Sequence, residues 1–536
     1  MSLFQSRINS QVDVYADSAH LNFMGGTSYD VKNPLVRLRL AASSCFFGEP
    51  MYYHRDSADK RPVRRVGQRR LSDIEVKHLR ATLNAIEPQE WRGLSPAELI
   101  EKAVDAALES DPEATLREAV RLRSEEQIRT TPQVILVRAA HHARVRGTGL
   151  IRKYAKDIVT RADEPSVGLA YQMYRYGKPI PNSLKKAWRD ALCRFGQYAL
   201  AKYRMEGKVA KTVDVMNLVH PKSQAVDLLA KGQLSTTDKT WESIVSAQGS
   251  TVEAWTKALD VMGHMALLRN LRNLLQVGVP AGAFTSELVK GAKTGRQLPF
   301  RYYSAYQAVK SLEAIGESKG VLRAIEACLW DSIRQLPRFP GRVMALADNS
   351  GSAQNATTSS MGKVKISTIG NLTGILAAMR ADEGYLGLFG DQLVTREVDT
   401  DGSALKQLEA AEKAAESIGQ GTENGVWLFW DKAIRKKEHW DTVFVFSDMQ
   451  AGHGGLYGPR PSDYSDFQWQ GGTNIDVAAL VARYRAKVNP NVLVFLVQIA
   501  GYQDTLVPEV YDRTYILGGW GEGLLRYAAE MAKIIP

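Results

Sequence analysis

Cysteine is nearly missing from this 536-residue chain: Cys45, Cys193 and Cys328 are the three, and no CxxC spacing joins them. A disulfide framework or a thiolate zinc site needs more cysteines at closer spacing, so the three read as reduced thiols. Long apolar runs are lacking too. Stretches such as Val492 to Val497 fall far short of the ~20 residues of a membrane span. Met1 to Asp17 contains no apolar signal core, so a soluble, cytoplasmic chain with no membrane partner is expected. Histidines are scattered, and His141-His142 is the one adjacent pair. Neighbours in a helix point about 100° apart, which disfavours that pair as metal ligands. Nucleotide-binding loops are missing as well. There is no GxxxxGK[ST], and Gly147-Thr148-Gly149-Leu150-Ile151-Arg152 lacks the third glycine of GxGxxG.

What is present describes a chain that folds. The hydrophobic fraction of 44% and charged fraction of 24% are those of soluble globular proteins. The length exceeds what one hydrophobic core organises, so two or more domains are expected. Lysine and arginine total 69 against 58 acids, a net charge of +11. Such an excess favours polyanionic partners, nucleic acid before an anionic membrane surface.

Two grammars follow one another. From about residue 70 to 335 the periodicity is helical, in stretches such as Asp73 to Ala85, Ala97 to Leu108, Glu113 to Arg121, Gln133 to Arg144, Leu184 to Arg204, Trp255 to Val277 and Ala305 to Ile315. Many such helices on short connections suggest an α-solenoid of paired helices. Past Arg342, apolar runs at Val343 to Ala347, Tyr385 to Phe389, Thr442 to Phe446 and Val492 to Val497 alternate with helical stretches, the last from Glu522 to Ile534. Continuous apolar strands alternating with helices imply a mostly parallel sheet covered on both faces. The expected fold class is multidomain, α and α/β, with one domain over 1–340 and a second over 341–536.

The first strand of the second domain runs into Asp348-Asn349-Ser350-Gly351-Ser352, a DxSGS pattern. Loops beyond the C-terminal ends of strands are where open α/β sheets hold ligands. A carboxylate with hydroxyls is a hard oxygen set suited to Mg²⁺ or Ca²⁺. A purely structural reading competes, since Ser and Asn also cap helices and make turns. Two further elements follow in order: Gly421-Thr422-Glu423-Asn424-Gly425 ahead of a helix, and Ser447-Asp448 after a strand. The three together resemble the metal-ion-dependent adhesion site (MIDAS) of von Willebrand factor A domains. That resemblance implies Asp348, Ser350, Ser352, Thr422 and Asp448 around one divalent cation, whose open position a partner protein's carboxylate fills. Gly471-Gly472-Thr473-Asn474 is a second loop of similar composition; Thr422 is preferred because it precedes Asp448, as the family's order requires. Nothing near these residues supplies a general base beside a nucleophile, so no enzymatic activity is expected.

Positive charge in the helical region is clustered. Arg61, Arg64, Arg65, Arg69 and Arg70 lie together with no acid between them, and Arg138 to Arg161 holds seven cations against Asp157. A third cluster begins with Lys185, Lys186 and Arg189, opposite the apolar stripe Leu184, Trp188, Leu192 and Phe195. Lys202 and Arg204 follow near a helix end, where cations are also favoured by the helix dipole without any ligand. Lys208, Lys211, His220 and Lys222 continue the run. Its density suits sequence-indifferent phosphate contacts.

The segment Leu200-Ala201-Lys202-Tyr203-Arg204, continuing to Leu218-Val219-His220-Pro221-Lys222, resembles a region of the Ro (TROVE-domain) ribonucleoproteins. So do Gly25-Gly26-Thr27-Ser28-Tyr29, Leu298-Pro299-Phe300-Arg301-Tyr302, and the order of a helical domain before an A-type domain. The resemblance implies a ring of HEAT-like helix pairs joined to a Rossmann-like von Willebrand factor A domain. It also implies binding of small noncoding Y RNAs on the outer surface and of the single-stranded 3′ ends of misfolded RNAs in a central hole. Lys202, Arg204, Lys208, Lys211, His220 and Lys222, with Lys185, Lys186 and Arg189, would then face a Y-like RNA. Arg138, Arg144, Arg146 and Arg301 are candidates for lining the hole. A ribonucleoprotein role in RNA quality control is expected, with a protein partner such as an exoribonuclease at the metal site. The rival is a protein-interaction adaptor that uses the solenoid and the metal site for polypeptides. The segment from 46 to 72 departs from the animal Ro pattern.

Overall fold

The structure is a computed structural model that describes residues 19–21, 27–44, 65–66, 69–70, 96–203, 205, 208–234, 240–295, 297, 299–312, 316–355, 364–419, 426–447, 449, 476–499, 504–507, 511–519 and 524–529. The helix expected over Asp73 to Ala85 lies outside the described residues. No described helix is long and apolar enough to cross a membrane.

The chain divides into two compact units. One, residues 31–238 with 359–361, is mostly helical. Its helices are α1 (Pro34–Ser44), α2 (Pro96–Ser110), α3 (Pro112–Ser124), α4 (Thr130–His141), α5 (Leu150–Ile158), α6 (Glu164–Arg175), α7 (Asn182–Arg194), α8 (Gln197–Lys202), α9 (Thr212–Val219) and α10 (Gln224–Ala230). Local rules are visible in α3. Asp111 caps its start by accepting from the Ala114 N–H at 2.9 Å, and Pro112 occupies the first turn, where no backbone donor is needed. Leu116, Ala119 and Leu122 then fall on its buried face. Trp188 of α7 is fully buried and packs against Gly168 of α6, where a Cβ would stand 3.0 Å from the indole.

The stretch Leu184 to Arg204, expected as one helix, is two. Gly196 has extended backbone and separates α7 from α8. Trp255 to Val277 divides at Gly263 for the same reason. Helical periodicity carries across such a break because the apolar stripe on either side faces the same core, whereas glycine's freedom lets the chain turn there.

The other unit comprises residues 1–30 and most of 239–536. A small sheet in it joins β1 (Ala19–Leu21), β2 (Thr27–Asp30) and, from far along the chain, β10 (Asp504–Thr505). The Tyr29 hydroxyl donates to the Asp476 carboxylate at 3.1 Å. Between β2 and the main sheet in chain order comes one two-stranded pairing, β3 (Arg65–Val66) antiparallel to β4 (Arg69–Arg70), which falls within the first unit. The strands of the main sheet are β5 (Phe339–Asp348), β6 (Ala381–Phe389), β7 (Leu393–Glu397), β8 (Thr442–Ser447), β9 (Leu493–Gln498) and β11 (Thr514–Gly518), in the order β11-β9-β8-β5-β6-β7. Counted along the chain this is 3-2-1-4-5-6, the doubly wound order. All pairings are parallel except β6 with β7. Two strands, β7 and β11, do not stand out in the sequence as apolar runs. Both are edge strands of partial burial, so their sequence need not be apolar on both faces.

Helices α11 (Trp241–Gln248), α12 (Val252–Leu259), α13 (His264–Val277), α14 (Thr285–Gly295), α15 (Pro299–Lys310) and α16 (Ser318–Arg334) belong to this same unit. One continuous core runs from Trp255 through Ile325 and Leu329 of α16 to Val343, Ala345 and Ala347 of β5 and Leu525 near the C-terminus. Residue 340 therefore marks the change from helices to sheet, while the compact unit begins a hundred residues earlier. α17 (Gly351–Asn355), α18 (Ile366–Ala378), α19 (Ala404–Ala415), α20 (Val426–Lys436) and α21 (Val477–Lys487) complete the unit. α18 is buried along its whole length, and Gly374 lets it settle onto the sheet, its missing Cβ lying 3.2 Å from that of Ala345.

Candidate metal centre and candidate nucleic-acid surface

The order of the sheet reverses between β5 and β8, and ligands of open α/β folds sit in the crevice at that switch point. Asp348 is the last residue of β5 and Ser447 the last of β8, and both are buried. The Ser447 hydroxyl donates to Asp348 Oδ2 at 2.7 Å, and the Ser350 N–H donates to Oδ1 at 2.9 Å. Around them the loop is tied down. Asn349 and Asn371 exchange amide hydrogen bonds at 2.8 and 2.9 Å, the Asn349 N–H donates to the Phe389 carbonyl at 2.8 Å, and Gln354 donates to the Asn349 carbonyl at 2.5 Å.

Asp348 with the hydroxyls of this loop fits a hard divalent cation by donor chemistry. The structure brings Asp348 and Ser350 together; Ser352 lies in α17, and Thr422 and Asp448 lie outside the described residues. Motif reading misses Ser447, because its residue type carries no signal until the pairing of β5 with β8 puts it beside Asp348. Among the described residues no three His, Cys, Asp or Glu side chains converge, so a cation here would depend on hydroxyl ligands.

In the helical unit, Lys186 is exposed and Lys185 and Arg189 partly so, on the side of α7 away from Leu184, Trp188 and Leu192. Arg189 lies 3.4 Å from Asp190. Lys202, exposed at the end of α8, has its ammonium 5.6 Å from the ring of Tyr198 and 5.8 Å from that of Tyr203. The Thr212 hydroxyl donates to the Tyr203 carbonyl at 2.6 Å, joining the end of α8 to the start of α9. Lys208 is partly exposed, Lys211 exposed, and Lys211 precedes α9. His220 closes α9 in a left-handed conformation with φ of 47°, and both it and Lys222 are exposed. Arg204 lies outside the described residues. Tyr198, Val209 and Val213 are exposed apolar groups among these cations.

The cations of residues 138 to 161 are spent differently. Arg138 is buried, pairs with Asp105 and Glu101, and donates to the Tyr171 hydroxyl at 2.7 Å. Burial opposes its charge, and these partners more than offset that, holding it protonated. It is therefore not a lining residue for RNA, contrary to expectation. Arg144 donates to the backbone carbonyls of Glu109 and Ser110. Arg152 reaches Asp190, Lys153 reaches Glu113, and Arg161 pairs with Asp163 over the ring of Tyr203. Sequence density alone does not distinguish such paired cations from solvent-facing ones, since the partners lie 30 to 40 residues away for all but Arg161.

A basic helical unit and a doubly wound sheet with an oxygen-lined switch point define the class. The solved structure described as the Ro (RSR) protein of Deinococcus radiodurans shares this fold, with a TM-score of 0.55 over 94% of this chain and 99% of that one, at 14% identity. Residues 233–365 match the family model of the TROVE domain. Telomerase protein component 1 of Mus musculus is 37% identical over 90 residues, which are 15% of this chain and 3% of that protein, and the Rattus norvegicus protein matches to the same extent. This chain thus spans a small fraction of the length of those curated relatives. Residues 233–365 thus carry a sequence match to the TROVE domain, and the fold is shared with the Ro protein structure.

Proposed function

We propose that this protein binds structured RNA through the cations of α7, of the end of α8 and of the segments on either side of α9, and is a ribonucleoprotein component rather than an enzyme. The observation that carries this is a contrast. Arg138, Arg152, Lys153 and Arg161 are each paired with an acid, whereas Lys186, Lys202, Lys211 and Lys222 are exposed along α7, the end of α8 and either side of α9, beside Tyr198 and His220. Clustered exposed charge beside aromatic rings suits phosphates and unpaired bases. By the family resemblance the RNA is a small noncoding Y-like RNA, and single-stranded 3′ ends of misfolded RNAs are a second ligand, in a quality-control role. The doubly wound sheet and its covering helices, residues 341–536, are then a von Willebrand factor A-type domain. Asp348, Ser350, Ser352, Thr422 and Asp448 would hold Mg²⁺ or Ca²⁺, which supplies a position for a carboxylate from a protein partner, an exoribonuclease being one candidate.

The test is binding of a labelled Y-like RNA across a salt series. Lys202→Glu is expected to weaken binding and to reduce the slope of log affinity against log salt by about one unit for each phosphate that Lys202 neutralises. Absence of salt-dependent RNA binding by the unaltered protein would sink this reading in favour of a protein-binding adaptor.

A further inference from the structure

Helices α5 and α7 leave between them a cleft of about 110 Å³, floored by Ala187 and Ala191 and walled by Arg152, Lys156, Asp190 and Arg194. A water molecule needs about 10–15 Å³ of such space, so the cleft admits a larger group. Its charge is uneven: three cations face one carboxylate. That carboxylate is already engaged, since Arg152 Nε lies 2.6 Å from Asp190 Oδ2 and Arg189 lies 3.4 Å from Oδ1. The pair with Asp190 orients Arg152 along the cleft and leaves its remaining guanidinium donors available. Arg194 uses one nitrogen on the Val159 carbonyl at 2.8 Å, which fixes its stem in the same way. Lys156 is exposed and contributes an ammonium. Two guanidiniums anchored on the backbone and on an acid, with an ammonium between the two helices, are a preorganised set of donors for a tetrahedral oxyanion. The small floor residues let the anion approach the helix surfaces.

We propose that this cleft is an oxyanion site that takes a phosphate group. In its RNA form this rests on the function proposed above: the cleft would hold a backbone phosphate and extend the RNA surface from α7 onto α5. A free phosphate or small phosphate ester has the same chemistry and is the other source.

The experiment uses the full chain and two probes, a labelled blunt RNA hairpin and inorganic phosphate at fixed ionic strength. The variants are Lys156→Gln with Arg194→Gln, Lys156→Gln alone in case removing the hydrogen bond to Val159 disturbs the fold, and Lys202→Glu as a reference outside the cleft. Melting in the absence of either probe reports the fold. If RNA phosphate is the ligand, the double variant lowers the salt slope by about one unit, the single variant by no more than that, and the effects add to that of Lys202→Glu. If a small phosphate is the ligand, the RNA slope of the two cleft variants is unchanged, while inorganic phosphate raises the melting temperature of the unaltered protein and of Lys202→Glu and not of the two cleft variants. Unchanged RNA slope together with equal phosphate response in all proteins overturns the cleft, even where Lys202→Glu weakens RNA binding. Should the unaltered protein bind no RNA, the function proposed above fails, and the phosphate measurement decides the cleft by itself.

Discussion

At the scale of single residues, Asp348 and Gly384 illustrate opposite kinds of constraint. The Asp348 carboxylate is fully buried at the switch point and accepts from Ser350 and Ser447. Asp348→Asn is expected to abolish binding of Mg²⁺ or Ca²⁺, read by isothermal titration. Affinity for structured RNA should change by less than about twofold, because the cations proposed to contact RNA belong to the other compact unit, which has its own core. A large drop in RNA affinity with an intact fold would show that the two functions are not separable. Gly384 in β6 is constrained by backbone instead: a Cβ there would stand 2.0 Å from the Ala378 carbonyl oxygen. Since a backbone atom held by α18 cannot rotate away, Gly384→Ala is expected to cost at least the ~1–3 kcal/mol of an overpacked core, measured as a fall in urea midpoint. A neutral result would mean that the turn from α18 into β6 is looser than its packing indicates.

At the scale of elements, α1 is pinned to α3 by charge as well as by apolar contact. Glu118 of α3 is buried and receives Arg39 of α1 at 2.9 Å and Arg121 at 2.8 Å. Burial alone would raise its carboxyl, yet the two guanidiniums outweigh that and leave it below the usual carboxylate range. A depressed value contributes stability that is present above the unfolded-state pKa, about 4.3, and is lost as pH falls through the lower folded value. Glu118→Gln should therefore lower stability at pH 7 and flatten the fall in melting temperature below about pH 4; a parallel acid limb in both proteins would remove Glu118 from the account. The sequence made such helices legible through their apolar faces, and it made the central strands β5, β6, β8 and β9 legible because burial on both sides demands continuous apolar residues. It did not reveal β7 and β11, whose exposed faces admit polar residues, nor the breaks at Gly196 and Gly263. Of the candidate sites, DxSGS was legible because its residues are adjacent. Ser447 and the cleft formed by Arg152, Lys156 and Arg194 were not, because they exist only once two elements pack.

At the scale of the whole molecule, the informative result is where a compact unit begins. Composition changes near residue 340, and a domain cut there would start within β5, at Gly341. Packing places the division a hundred residues earlier. Ile325 and Leu329 of α16 share a core with β5, Lys310 of α15 pairs with Glu409 of α19 at 2.7 Å, and the Tyr303 hydroxyl donates to Glu412 at 3.2 Å. The N-terminus joins the same unit, since β2 pairs with β10 and Tyr29 reaches Asp476. A fragment of residues 341–536 would thus be without α13 to α16 in its core and would expose the apolar faces of α18 and the sheet, a patch large enough to drive association. Residues 31–238 keep a core of their own around Trp188, Leu184 and Val137. The expected outcome is that fragment 31–238 unfolds cooperatively in urea and retains the Lys202-dependent, salt-sensitive RNA binding. Fragment 341–536 should be insoluble or should bind dyes specific for exposed apolar surface, and a fragment of 239–536 should improve on it, recovering fully only with residues 1–30 supplied as a peptide. A soluble, cooperatively folding 341–536 would show that α13 to α16 lean on the sheet without being required by it, and would return the boundary to the place where the composition changes.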